Sequence, residues 1–241
     1  MAITLSSLDD LDAAPFDAVI DVRSPAEFAA DHIPGAINLP VLDDDERAHV
    51  GTIYTQDSAF RARRLGAALV ARNAARHLEG PLADKPRRWR PLVHCWRGGQ
   101  RSGAFATILG QVGWQVGTLA GGYRSYRRLV KAMLHDAPLP VRLVLLDGDT
   151  GTAKTDLLAR LGARGVQVID LEGLANHRGS IFGARPGGQP AQKGFESALA
   201  AALRAMDPAR AVLVEAESSM VGRLNLPLSL WTEMKGAPRI E

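Results

Sequence analysis

The sequence predicts an α/β protein in two blocks, each built on a parallel sheet, the second block incomplete. Three observations carry this. Short apolar runs alternate with helical stretches along the chain, as in parallel sheets covered by helices. A stretch rich in turn formers, Leu134 to Pro140 (LHDAPLP), interrupts the alternation with two prolines and an Asp. The run that follows, Val141-Arg142-Leu143-Val144-Leu145-Leu146, is apolar enough for a central parallel strand. Residues 1–133 are therefore expected to form one domain, 134–140 a linker and 141–241 a second domain.

In the first block, Ala18-Val19-Ile20 reads as a short buried strand leading into Asp21-Val22-Arg23. Ser24-Pro25-Ala26-Glu27-Phe28 is a helix start, with Ser at the N-cap, Pro at the first position and Glu at the third. Arg61 to His77 reads as a helix with a wide basic face. Pro91-Leu92-Val93-His94 is a strand ending at Cys95, and Ser102 to Val112 a helix. Gln115 to Leu119 is a weak strand, followed by Gly121-Gly122 and a basic helix from Tyr123 to Met133. The second block alternates the strand at 141–146, a helix from Lys154 to Leu161, a strand at Val166 to Ile169, a helix from Phe195 to Met206 and a strand at Ala211 to Val214. Another strand is expected to begin at Pro238-Arg239-Ile240-Glu241, where the sequence ends.

The charges are segregated. The 241 residues carry 29 Lys+Arg against 26 Asp+Glu, a formal net charge of +3. Residues 1–60 hold twelve acids and two bases, residues 61–142 sixteen bases and three acids, and residues 143–241 eleven of each. Of the bases, 24 are Arg. Arg suits planar, multi-donor recognition of phosphate and stacking on bases. A GC-rich genome produces the same bias, so both explanations stand at this point. At 46% hydrophobic and 23% charged, the chain is globular and neither disordered nor disulfide-stapled. It has no run of about 18 apolar residues, so no membrane partner is expected. The acidic N-terminus lacks the basic and apolar regions of a secretory signal, and the expected location is cytoplasmic. One cysteine forms no internal disulfide; it is either a small buried hydrophobe or a nucleophile.

The segment His94-Cys95-Trp96-Arg97-Gly98-Gly99-Gln100-Arg101-Ser102 favours the nucleophile. A thiol at a strand's end, followed by a Gly-rich turn and a helix, has backbone N–H groups and a helix dipole aimed near its sulfur. Those donors, with Arg97 and Arg101, favour the thiolate and bind a tetrahedral anion. Cys95 is thus the candidate catalytic residue, and Arg97, Gly98, Gly99, Gln100, Arg101 and Ser102 the candidate anion cradle. Together with IDVRSPAEFAADHIPGAINLP upstream and LAGGYRSY downstream, the loop resembles the rhodanese family, which carries sulfur or selenium on its active Cys. The resemblance covers roughly residues 1–130. Asp21, Arg23 and Gly35 match family signatures and read as structural, the first two as a salt-linked brace and Gly35 as a turn. Five residues separate Cys95 from Arg101, a roomier loop than that of ordinary sulfur-transferring rhodaneses and similar to that of rhodanese-like phosphatases. That size points to a phosphate-bearing substrate without fixing which atom is transferred.

After the strand at 141–146 comes Gly148-Asp149-Thr150-Gly151-Thr152-Ala153-Lys154-Thr155. It matches the phosphate-loop pattern at Gly148, Lys154 and Thr155, with Ala153 in place of the second Gly. Gly148, Gly151, Lys154 and Thr155 are the candidate phosphate-binding residues. Glu215 and Glu217, at the end of the third strand of this block, read either as holders of Mg²⁺ or water or as exposed acids. No dedicated metal site is expected. His177, Arg178 and Ser180 lie in a Gly-flanked polar segment that either meets phosphate or is simply ordered. Trp96 reads more readily as a partly buried core residue than as a platform for a base.

The order CWRGGQRS, LDGDTGTAKT, DLEGLANHRGSIFG, VEAESS resembles the tRNA 2-selenouridine synthase family along essentially the whole chain. The fold this implies is a rhodanese-like domain with a parallel sheet, followed by an incomplete P-loop NTPase-like α/β domain. The resemblance implies a tRNA-modifying transferase acting on 2-thiouridine at the wobble position. It implies S-geranylation from geranyl diphosphate, then replacement of the geranylated sulfur by selenium from selenophosphate. By it, Cys95 carries selenium as a perselenide and its cradle holds selenophosphate, while the phosphate loop binds a diphosphate or a tRNA phosphate. No tightly bound cofactor is expected; selenophosphate and geranyl diphosphate are co-substrates, and Mg²⁺ is compatible with the loop. The basic helices at 61–77 and 123–133 are the candidate tRNA surface. The chain resembles only the N-terminal part of the family's members and is expected to be a C-terminally shortened form. A rhodanese-like phosphatase or sulfurtransferase, and an inactive truncated tRNA-binding remnant, are the rival readings.

Overall fold

Val19-Ile20, Leu92-Val93 and Leu143 to Leu146 each supply apolar side chains to both faces of a strand, which is what a helix-covered parallel sheet requires. The computed structural model, which describes residues 1–149, 152–178 and 183–241, divides into two units, Met1–Leu129 and Val130–Glu241. Both are α/β.

The first unit is a five-stranded sheet of β1 (Ala2–Ile3), β2 (Ala18–Asp21), β3 (Ile37–Asn38), β4 (Pro91–His94) and β5 (Gly117–Leu119). All pairings are parallel, in the order β1-β5-β4-β2-β3. Its helices are α1 (Asp9–Asp12), α2 (Pro25–Ala30), α3 (Asp44–Gln56), α4 (Ala59–Glu79), α5 (Gln100–Val112) and α6 (Tyr123–Lys131). The central strand β4 is buried at every position and pairs with β2 so that Asp21 lies opposite His94. The core packs Ile20, Val22, Val93, Phe105 and Leu109 with Val70 and Ala74 of α4. α2 begins as expected: Pro25 follows Ser24, and the Ser24 N–H donates to Glu27 Oε2 at 3.2 Å. α5 starts at Gln100, two residues before the expected Ser102, because the turn after Cys95 passes straight into helix. α3 has no counterpart among the expected elements. It buries none of its residues and shows no apolar stripe, but a capping box starts it, with the Glu46 N–H donating to Asp43 Oδ1 at 2.7 Å.

The second unit holds β6 (Arg142–Leu146), β7 (Gln167–Ile169), β8 (Ala211–Glu215), the antiparallel pair β9 (Met220–Val221) and β10 (Leu224–Asn225), and β11 (Arg239–Ile240). β11, β6, β8 and β7 form a parallel sheet in that order, so the strand expected at the end of the sequence is present. Its helices are α7 (Lys154–Ala163), α8 (Leu171–Leu174), α9 (Gln192–Arg204) and α10 (Leu228–Gly236). Leu146 of β6, Leu158 of α7 and Leu213 of β8 pack together. The segment after α6 is a π-helical turn, Ala132–Asp136, in which Leu134 is fully buried.

Candidate functional site

β4 ends at His94, and the backbone turns at the carboxyl edge of the sheet to present Cys95, the position where open parallel sheets place their ligands. The thiol is 4% exposed. Its Sγ accepts from the Gly99 N–H at 3.4 Å and from the Ser102 hydroxyl at 3.3 Å. Burial pushes the thiol up, but the Ser102 hydroxyl and backbone, the Gly99 N–H and the Arg101 charge outweigh it, so Cys95 titrates below the ordinary thiol range. Arg97, Gly98, Gly99 and Gln100 are exposed around it, and Ser102 is buried. Together with Tyr54 and Arg63, the loop lines a cavity of about 400 Å³ reaching Cys95.

The loop is clamped from behind by the start of α6. Tyr123 N–H donates to the Cys95 carbonyl at 2.9 Å and Arg124 N–H to the Trp96 carbonyl at 3.1 Å. This close approach demands glycine. Gly98 and Gly122 have φ of +67° and +58°; a Cβ at Gly98 would lie 2.5 Å from the Leu119 carbonyl, and one at Gly122 would collide with the Cys95 carbonyl. Asp21 and Arg23 form the expected brace, wholly buried, with Arg23 Nη2 2.6 Å from Asp21 Oδ2. Arg23 also donates to the Asp31 carbonyl at 2.6 Å and lies 4.0 Å from the centre of the Tyr123 ring. Tyr123 in turn donates to Asp31 at 2.5 Å. Trp96 is half-buried against Tyr123, ring centres 5.2 Å apart, which fits its reading as a core residue. Gly35 takes the turn conformation at φ +79°. His94 is fully buried, and burial lowers its pKa, so the imidazole beside Cys95 is neutral near pH 7; its Nε2 has no partner among the described residues.

Arg101 is held differently from a free cradle cation. Its Nη1 lies 2.6 Å from Glu27 Oε2, and Arg47 approaches the same oxygen at 3.9 Å. Burial raises the Glu27 pKa, but the Arg101 bond and charge outweigh it and hold the carboxyl below its usual range. Glu27 therefore caps α2 and orients Arg101 at the wall of the cavity. Neither this pairing nor the contribution of Tyr54 and Arg63 was foreseen, because all three residues are far from the loop in sequence.

In the second unit the phosphate-loop segment joins β6 to α7. Lys154 Nζ donates to the Gly148 carbonyl at 2.5 Å and the Asp149 carbonyl at 3.1 Å. Thr155 Oγ1 donates to Glu172 Oε2 at 3.0 Å, and the Glu172 N–H donates to Glu215 Oε1 at 2.8 Å. Ala153, in the place of the pattern's glycine, adopts the left-handed φ of +60° that glycine would take. Gly151 and Ser180 lie outside the described residues. His177 is buried and pairs with Ala184 across a short bridge, and Arg178 is exposed. Glu215 corrects one of its two expected readings: it is 1% exposed, not an exposed acid, and its Oε2 has no partner among the described residues. Burial pushes it up to about 8, and burial with the charge of Glu172 pushes Glu217 up to about 7. Among the described residues no three His, Cys, Asp or Glu side chains are grouped to hold a metal ion.

A buried thiol with a lowered pKa, set at the carboxyl edge of a parallel sheet and accepting from the Gly99 N–H and the Ser102 hydroxyl, marks the site of a rhodanese-like fold. The model of the rhodanese-like domain matches residues 4–129, and the chain belongs to the rhodanese-like family. Residues 141–241 match the tRNA 2-selenouridine synthase AAA domain. The chain is similar to proteins named tRNA 2-selenouridine synthase from Hahella chejuensis, at 41% identity over 92% of this chain and 59% of that protein, and from Alcanivorax borkumensis, at 39% identity over 92% of this chain and 61% of that protein. It thus spans about 60% of the length of these curated relatives. Among solved structures it is similar to a rhodanese-related protein from Thermoplasma volcanium, at 21% identity and a TM-score of 0.33 over 53% of this chain and 90% of that one. No helix among the described residues is long and apolar enough to cross a membrane.

Proposed function

We propose that the protein is a cytoplasmic tRNA-modifying selenotransferase that replaces the sulfur of wobble 2-thiouridine by selenium from selenophosphate, through an S-geranylated intermediate made from geranyl diphosphate. The observation that carries this reading is the Cys95 loop. A thiol lowered in pKa by Ser102 and Gly99 faces a cavity lined by Arg97 and Arg101, in a chain whose residues 141–241 match the synthase AAA domain. The cradle's N–H groups and guanidinium would receive selenophosphate beside the Cys95 thiolate. The Cys95 thiolate displaces geranylthiolate from C2 of the base, a bond from C2 to the Cys95 sulfur forming as the bond to the geranylated sulfur breaks. The selenium of selenophosphate then attacks C2 and expels the Cys95 thiolate, and water cleaves the P–Se bond to leave phosphate and the 2-selenouridine. Alkylation makes the sulfur a better leaving group, which links the two activities. Lys154 and Thr155 would meet a diphosphate or tRNA phosphate at the second unit.

The test is mass spectrometry of tRNA nucleosides after incubation with selenophosphate and geranyl diphosphate. The wild-type chain is expected to yield 2-selenouridine and the Cys95→Ala variant only the geranylated or unmodified thiouridine; full selenation by the variant would overturn the role of Cys95. The five-residue spacing from Cys95 to Arg101 favours one rival, a rhodanese-like phosphatase. Turnover of an aryl phosphate without tRNA binding at moderate salt is the outcome that would select it.

A further inference from the structure

A second cavity lies beside the one over Cys95. It is about 310 Å³, near the lower end of small-molecule sites, and its body is apolar, formed by Leu42, Val50, Ala62, Ala67, Val70 and Ala104. Leu42, Ala62 and Val70 are buried and make its floor, while Ala67 of α4 and Ala104 of α5 are exposed in its walls. Four residues, Tyr54, Arg63, Gln100 and Arg101, line both cavities, so the apolar trough opens beside the reacting sulfur. Arg101 at that shared wall is neutralised by Glu27, which lowers the cost of passing a hydrocarbon across it. Tyr54 is 60% exposed there, an aromatic face available to a base.

We infer that this trough binds the hydrocarbon chain carried on the sulfur of the substrate base, holding the leaving group while the base's C2 meets Cys95. The inference rests on the transferase reading above and adds a binding site for its alkylated intermediate. Geometry requires such a site: with C2 at the sulfur of Cys95, the group on the base's own sulfur must lie within a few bonds of the same point. In open solvent an isoprenoid chain there would expose apolar surface, whereas the trough removes it from water. A methyl group in the same position would leave most of the trough unfilled.

The test is binding of the full chain to two anticodon stem-loop oligonucleotides, one bearing S-geranyl-2-thiouridine and the other S-methyl-2-thiouridine, followed by fluorescence anisotropy. The wild type is expected to bind the geranylated oligonucleotide at least about tenfold more tightly, a difference of about 1.4 kcal/mol. Ala67→Phe and Ala104→Phe, at exposed helix positions, fill the trough and are expected to abolish that preference while leaving affinity for the S-methyl oligonucleotide unchanged. Ala67→Ser, which leaves the space open, should retain it. Equal wild-type affinities, or a preference that survives both Phe substitutions, overturn the inference. A preference that behaves as expected while mass spectrometry finds no selenium incorporation would instead sink the transferase reading and leave the trough's ligand class standing.

Discussion

Cys95 is the residue on which the chemistry turns, and its reactivity is set by neighbours a few positions away. Ser102 and Gly99 donate to its sulfur and overcome a burial that alone would keep it protonated. Because the donors favour the anion, removing one must raise the pKa. Ser102→Ala is therefore expected to move the midpoint of the iodoacetamide alkylation rate to higher pH and to slow alkylation at pH 7, where less of the thiol is ionised. An unchanged profile would show that the Ser102 hydroxyl does not set the thiolate. This part of the site was legible in the sequence because strand, turn and helix follow one another within nine residues, His94 to Ser102. The Glu27–Arg101 pair joins residues 74 positions apart, and nothing local marks it. Glu27 already had a sufficient local explanation as a helix-capping residue, which hid its second role.

At the scale of elements, the ends of β6 and β8 organise the second unit's site. The sequence marked Ala153 as a departure from the phosphate-loop pattern, and the structure gives it physical content: an alanine held at φ +60°. A left-handed backbone costs a non-glycine residue about 1–2 kcal/mol, and glycine loses about 0.5–1 kcal/mol more entropy on folding. Ala153→Gly is accordingly expected to stabilise the unit by up to about 1 kcal/mol, read as a higher urea midpoint; destabilisation would mean the alanine methyl makes a compensating contact. β8 delivers Glu215 into a buried setting, where its folded pKa rises from 4.5 to about 8. Between those values the folded state keeps a proton that the unfolded state releases. Stability is thus fully present below about pH 4.5 and falls as pH rises through 8, by at most about 1.4 kcal/mol per unit. Urea midpoints at pH 5 and pH 8 should differ in that direction, and Glu215→Gln should flatten the difference. Strands such as Leu143 to Leu146 were legible because apolar runs admit few alternatives, whereas α3 was not, since a polar helix without a buried stripe has no periodic signal.

Across the whole molecule, a net charge of +3 conceals sixteen bases against three acids in residues 61–142 and twelve acids against two bases in residues 1–60. The fold uses part of that contrast internally. Asp21 neutralises Arg23, Glu27 neutralises Arg101, and Asp57 pairs with Arg61 at the start of α4. What is left is exposed basic charge, including Arg64 and Arg72 on α4 and Arg124 and Arg128 on α6. If these arginines meet tRNA phosphates, each contact releases condensed counterions, and the logarithm of the binding constant falls linearly with the logarithm of salt concentration. Each lost contact then reduces the slope by about 0.7–0.9, the lower value applying to single strands. Replacing all four by Gln is expected to flatten the slope by about 3 while leaving the alkylation profile of Cys95 in place. A weaker affinity with an unchanged slope would mean the arginines act through packing, since lost packing weakens binding equally at every salt concentration. An unchanged affinity and slope would move the RNA surface away from α4 and α6 altogether and make their arginine content a matter of composition.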